Sequence, residues 1–382
     1  MSPIHDDHWH QSLAVGAVGI ALEHTAKART DPDGWLRAHC WIREMTRKPI
    51  TAAPATATLF LGAPAIAYTL HTTGHPGYLP AVRVLDDHIS ALTQDRLARA
   101  HRRIDQRHLP EPREFDLISG LTGLGAGLLQ RGHTRLLRDV LTYLVRLTQP
   151  MRHRGDLFPG WWCRSGPQGQ RTGRWQGGHG NLGIAHGIAG PLALLALAHR
   201  RHVTVPGQIA AIRTILDWLD DWRRDTEHPW WPATLTRAEW RTGTLRQHGP
   251  QRPSWCYGTP GLVRAQQLAA LALHDPVRQR RVEHVLADCI HDPAQLSQLR
   301  DATLCHGWAG LIHTTARVAA DAAPDSPLTT VLPALRRRFA TYLRQHPSPS
   351  APGLLEGRAG IALAQHNNSL ITRWDACLLL TT

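Results

Sequence analysis

Two short stretches place metal-ligating side chains at equivalent points: Trp255-Cys256-Tyr257-Gly258 and Cys305-His306-Gly307. Thiolate and imidazole are ligands that Zn2+ favours in a tetrahedral site, and three protein ligands leave the fourth position open for catalysis. Cys256 and Cys305 are 49 residues apart, so the spacing is not that of a zinc finger and only a tertiary fold can bring them together. The competing reading is two buried cysteines and a capping histidine. Two cysteines in the same slot of a repeat, one beside a histidine, favour the metal. Cys40, Cys163, Cys289 and Cys377 lie outside the slot and read as packing residues. Six cysteines in 382 residues are too sparse for a disulfide framework.

The slot belongs to a Gly-x-x-Gly element that recurs along the chain. The copies are Gly16-Ala-Val-Gly19, the degenerate Gly62-Ala-Pro-Ala65, Gly120-Leu-Thr-Gly123, Gly187-Ile-Ala-Gly190, Gly258-Thr-Pro-Gly261, Gly307-Trp-Ala-Gly310 and Gly357-Arg-Ala-Gly360. Their leading glycines are 46, 58, 67, 71, 49 and 50 residues apart, without a break that would mark a domain boundary, so residues 1–382 read as one domain. The residue before each leading glycine is Val15, Leu61, Ser119, His186, Tyr257, His306 and Glu356 in turn. Reactive side chains therefore gather in the fourth to sixth copies, and they meet in space if the copies are related by symmetry.

Each interval is long enough for two helices. Ile209, Ile212, Ile215, Leu216, Leu219 and Trp222 share one helical face, and segments 83–99, 134–147, 262–273, 277–290 and 328–344 also read as helices. Strand-like alternation is scarce, so the fold class is all-α. Glycine before a helix lets backbones approach closely and permits positive φ, and the helix turns its unpaired N–H groups back toward the loop. Seven apolar helices can close into a ring with these loops at one end. An open solenoid fits the same periodicity.

Composition narrows the function. The chain is 42% apolar and 19% charged, as expected of a globular protein. It has no apolar run of the ~18 residues a membrane span needs, and its polar start does not resemble a signal peptide, so a soluble, cytoplasmic protein is expected. Its only lysines are Lys27 and Lys48, no P-loop motif occurs, and a Schiff-base lysine is not indicated. A formal net charge of +13 suggests an acidic partner. The arginines are spread without a dominant block, so no nucleic acid is expected. Gly178-His-Gly-Asn-Leu-Gly183 matches a dinucleotide fingerprint in letters, but no βαβ unit surrounds it.

The motifs around Cys256 and Cys305, with Ala185-His186-Gly187-Ile-Ala-Gly190, resemble those of the lanthionine synthetase C-like family, the lantibiotic cyclases. The resemblance runs through all seven copies. It implies an α,α-toroid of seven inner and seven outer helices and one catalytic zinc. It also implies an activity, the addition of peptide cysteine thiols to dehydroalanine or dehydrobutyrine. Cys256, Cys305 and His306 match the family's zinc ligands. His186 matches an active-site histidine, acting as acid or base. Asp116 matches an acidic residue that would orient it, and Arg252 an arginine near the zinc that would stabilise enolate charge. Tyr257 matches a further active-site position, and Trp255 one that flanks the first ligand and would bind substrate.

The implied partners are a dehydrated leader–core precursor peptide, a separate dehydratase and a transporter that would associate the protein with a membrane. The alternatives are a peptide-binding toroid with structural zinc and a prenyltransferase-like enzyme that alkylates zinc-activated thiols. The sequence departs from the family at Ala65, and at Pro253-Ser254, which bear on how Arg252 points. The 58 residues between Gly62 and Gly120 leave little room for the small extra domain of some bacterial cyclases, which implies different leader recognition.

Overall fold

Apolar and amphipathic helices alternate along the chain. The computed structural model describes residues 8–366 and 372–381. In chain order the first pairs are α1 (Ala17–Ala28) with α2 (Trp35–Met45), then α3 (Ala63–Thr73) with α4 (Leu79–Asp105). After the one-turn α5 (Pro112–Phe115) come α6 (Leu121–Arg131) with α7 (Thr134–Leu147), and α8 (Ala189–Arg200) with α9 (Gln208–Asp221). The short α10 (Arg237–Thr242) precedes α11 (Thr259–Leu273) and α12 (Pro276–His291). The one-turn α13 (Pro293–Leu296), the pair α14 (Trp308–Ala320) and α15 (Leu328–Gln345), and finally α16 (Arg358–Gln365) complete the set.

The helices that follow the glycines form the inner wall. α1 packs on α3, α3 on α6, α6 on α8, α8 on α11, α11 on α14, α14 on α16, and α16 back on α1. That last contact decides for a closed ring and against an open solenoid. Inner helices are covered on nearly every side and mostly apolar: Ala189–Ala198 of α8 are all buried. Outer helices bury one face only; α7 turns Leu137, Val140, Leu141 and Leu144 inward and keeps its arginines at the surface. The structure has seven inner helices and, among the described residues, six outer ones paired with them. The expected seventh outer helix is not among the described residues. The 27-residue α4 takes up much of the Gly62–Gly120 interval.

The paired glycines owe their place to close packing more than to φ. A Cβ on Gly261 would lie 2.0 Å from the Trp255 carbonyl oxygen, and one on Gly310 2.1 Å from that of Leu304. In each case the second glycine of the element sits against the backbone six residues upstream. Among the leading glycines only Gly62 has positive φ, so that expectation holds for the degenerate copy alone.

After residue 371 the chain enters the middle of the ring as a 3-10 turn, Trp374–Leu378. Tyr68 of α3 donates to the Trp374 carbonyl, Arg264 of α11 to that of Leu380, and Trp255 to that of Leu378. Asp375 is fully buried between His313 and Arg317 of α14. Two small antiparallel ribbons interrupt the helices. β1 (Met151–His153) pairs with β2 (Asp156–Phe158), and β3 (His179–Asn181) with β4 (Thr234–Thr236). An antiparallel β3 confirms that the glycines around it form no dinucleotide fold.

Candidate metal centre and active site

Each slot is one tight turn closed onto its glycine. The N–H of Gly258 donates to the Ser254 carbonyl (3.1 Å), that of Gly307 to Thr303 (3.1 Å), that of Gly187 to Gly183 (2.9 Å) and that of Gly120 to Asp116 (3.1 Å). Neighbouring turns are then stitched together through main chain. Leu117 N–H donates to Ala185 (3.1 Å), Ala185 to Cys256 (3.3 Å), Cys256 to Cys305 (3.3 Å), Cys305 to Leu355 (2.8 Å) and Leu355 to Ala14 (2.9 Å). This belt around the ring explains how two cysteines so far apart in sequence become neighbours.

The ligand atoms of Cys256, Cys305 and His306 all lie within 4.8 Å of one another, with Cys256 buried and the other two half-buried. The two thiols act on each other: Cys305 holds Cys256 down at about 7, against burial and with help from Ser254, Arg252 and His186, while Cys305 is pushed up by the same pairing. The site thus already favours one thiolate. Two thiols and an imidazole at this spacing suit a Zn2+ ion, which would favour the thiolate form of both cysteines if bound. His306 Nε2 lies 3.5 Å from Asp301, whose Oδ1 accepts from both the N–H and hydroxyl of Thr303. A carboxylate behind a ligating histidine orients the ring.

Beside this cluster stands the pair Asp116 and His186. Asp116 is 1% exposed, accepts the Ser119 N–H at 2.6 Å, and lies 2.7 Å from His186 Nδ1. A carboxylate only accepts, so the proton sits on Nδ1 and Nε2 is left free for chemistry. Burial works against the imidazolium of His186. The hydrogen bond and charge of Asp116, with the Cys256 thiolate, outweigh it and raise the His186 pKa. Tyr257 stacks on His186 at 6.1 Å, and burial lifts its phenol to about 12. Asp116, His186 and Tyr257 open on a cavity of about 720 Å3 whose far wall is the loop from Ser165 to Arg171.

The structure therefore brings together seven of the eight residues expected at the site. Arg252 is exposed and makes no hydrogen bond among the described residues, but its charge acts on both thiols. Trp255 is the exception. It is 1% exposed with its indole N–H on the Leu378 carbonyl, so it packs against the C-terminal segment and offers substrate no surface. Sequence reasoning missed Asn181, which is buried, lines the cavity and donates to the Tyr257 hydroxyl (3.4 Å), while its Oδ1 accepts the Gly183 N–H (3.1 Å). The signal was there in Gly178–Gly183, where the glycines serve this turn rather than a phosphate. Asp301 stands at the same point of its copy, six residues before Gly307 as Asn181 is before Gly187.

Known proteins bear on this arrangement. The curated "Nisin biosynthesis protein NisC" of Lactococcus lactis subsp. lactis is 23% identical over 281 residues, 70% of this chain. The aligned part is 65% of that protein's length, just under two thirds. A solved structure named "Nisin cyclase" has the same fold, with a TM-score of 0.80, 20% identity, and coverage of 98% of this chain and 93% of the other. The family described as lanthionine synthetase C-like protein matches residues 7–379, and with its ring of inner helices and Cys-Cys-His cluster the chain belongs to that family.

Proposed function

We propose that this protein is a zinc-dependent lanthipeptide cyclase. It joins cysteine thiols of a dehydrated precursor peptide to dehydroalanine or dehydrobutyrine, making lanthionine or methyllanthionine rings. The observation that supports this reading is the Cys256–Cys305–His306 cluster beside the Asp116–His186 pair at the mouth of one cavity. The names of the relatives point the same way.

Cys256, Cys305 and His306 would hold the zinc. When bound, the ion supplies an open Lewis-acidic position that makes a thiol deprotonate at neutral pH. In the net step the substrate S–H bond breaks, a C–S bond forms at the β-carbon, and a proton arrives at the α-carbon. Asp116 fixes His186 with Nε2 toward the cavity, where it accepts the thiol proton or returns one to the enolate. Arg252 opposes the negative charge that grows on that enolate. Tyr257, a neutral phenol at pH 7, offers a hydroxyl to the substrate backbone and is itself held by Asn181.

The dehydrated residues come from a separate dehydratase. The net charge of +13 suits docking on an acidic peptide or on a membrane-borne transporter, from the cytoplasmic side. No described helix is long and apolar enough to cross a membrane. The test is metal content followed by thiol consumption. The purified protein carries about one zinc per chain, and a dehydrated peptide loses its alkylatable thiol without change in mass. Absence of zinc from well-folded protein, or a thiol that persists with zinc bound, overturns the reading.

A further inference from the structure

A second groove lies on the outer wall close to the metal centre. It measures about 660 Å3 and runs between α13 and one face of α15. Its floor is apolar, from Leu296, Trp308, Ala334 and Tyr342, and its rim carries Arg337 and Arg338. Positions 334, 337, 338, 341, 342 and 345 all face it, at the three- and four-residue spacing of one helical face. No aspartate or glutamate lines the groove, and Arg337 and Arg338 are exposed and make no ion pair among the described residues. Nearby Asp292 is occupied in capping α13 through the Ala294 N–H. Trp308 is 8% exposed, and its indole N–H is buried without a partner among the described residues.

The groove connects directly to the chemistry. Trp308 follows Gly307 and His306 in the chain, and Tyr342, which packs on Trp308 at 5.8 Å, feels the charge of Asp301, the carboxylate beside His306. The groove therefore adjoins the turn that carries His306. Unpaired arginines over an aromatic floor fit a segment that alternates acidic and apolar side chains.

We propose that the groove binds an acidic, apolar-bearing segment of the peptide substrate, outside the residues that react. This rests on the cyclase reading above, as far as the occupant is the substrate. The groove holds the flanking segment while the reacting thiol sits at the metal centre, which raises the local concentration of thiol without adding a contact to the transition state.

The test uses three synthetic peptides. One is fluorescein-labelled, with aspartates and glutamates alternating with leucines, followed by dehydroalanine and cysteine. The second has lysine for each acidic residue, and the third lacks the extension. By fluorescence anisotropy the full-length protein binds the acidic peptide about tenfold or more tighter than the lysine one, and added salt narrows the gap. The double variant Arg337→Glu/Arg338→Glu, checked for fold by circular dichroism, removes the preference. Its KM for the acidic peptide rises by the same factor, while kcat and the KM of the unextended peptide stay as in wild type. Tyr342→Ala weakens binding of the acidic peptide and leaves its salt dependence unchanged. Equal binding of acidic and lysine peptides by wild type, or an undiminished preference in the double variant, overturns the proposal. Arginine-dependent binding by zinc-loaded protein that never cyclises the unextended peptide overturns the cyclase reading and leaves the groove as an acidic-peptide site.

Discussion

At the residue scale the site divides into ligands and proton carriers, and the two groups fail differently. Cys256→Ala and Cys305→Ala each remove a thiolate from a three-ligand set. Atomic-emission measurement of the dialysed proteins then finds little zinc, while circular dichroism reports unchanged helix, because neither side chain spans helices. His186→Asn leaves the ligands intact. Zinc content stays at the wild-type level and kcat falls by about 10²–10⁴, as for loss of a general acid–base group. Asp116→Asn separates orientation from charge. Asp116 raises the His186 pKa, so its removal lets that pKa fall, and the limb of the pH–rate profile set by His186 moves to lower pH. An unmoved limb, measured at fixed zinc occupancy, would show that Asp116 does not act through His186. Most of these residues were legible because they share a slot. Asn181 and Asp301 were not, although each lies six residues before a leading glycine, as Arg252 does, because different side chains fill that position in each copy and only the folded turn shows what they touch.

The element that makes the slot is the turn-plus-helix with its two glycines. In every copy but the second, where Ala65 stands, its second glycine lies where the helix starts against the carbonyl six residues upstream. Gly261→Ala places a Cβ 2.0 Å from the Trp255 oxygen and 2.9 Å from the Ile184 side chain. Relief requires moving either the start of α11 or the turn that bears Cys256. The expected cost is about 1–3 kcal/mol in denaturant unfolding, together with weaker zinc retention in a chelator competition. A variant that loses stability but competes for zinc as well as wild type would separate the turn from the ligand. Helical periodicity located the outer helices well: segments 134–147 and 328–344 are α7 and α15 almost to the residue. It could not order them in space, since periodicity reports which face is covered and not what covers it.

At the scale of the whole molecule, the ring is closed by α16 on α1 and filled by the chain's last described segment. Asp375 is the anchor. Burial opposes its charge, but the hydrogen bond from His313 and the charge of Arg317 hold its pKa at about 2. A carboxyl depressed below its unfolded value of ~3.9 stabilises the fold above that value, and the contribution is lost as pH falls through the folded pKa. Stability should therefore decline by about 2–3 kcal/mol between roughly pH 5 and pH 2 from this group, and Asp375→Asn should remove that component of the acid limb in urea titrations. The same substitution removes the carboxylate that His313 and Arg317 share and lowers stability at pH 7 as well. No motif flagged Asp375 or Trp374, because a plug is defined by what surrounds it.

The amino-acid sequence by itself determined the number of Gly-x-x-Gly elements, the helical class and the side chains fit to bind zinc, since each follows from local spacing and side-chain chemistry. Tertiary structure alone decided the rest. The contact of α16 with α1 made the repeat a ring. The main-chain belt from Leu117 through Cys256 and Cys305 to Ala14 brought the two cysteines together. Burial removed Trp255 from the substrate's reach and put Asn181 at the cavity. Those outcomes depend on which surfaces meet at long range, and one chain's local pattern is the same whether its repeats close on themselves or run on as a spiral.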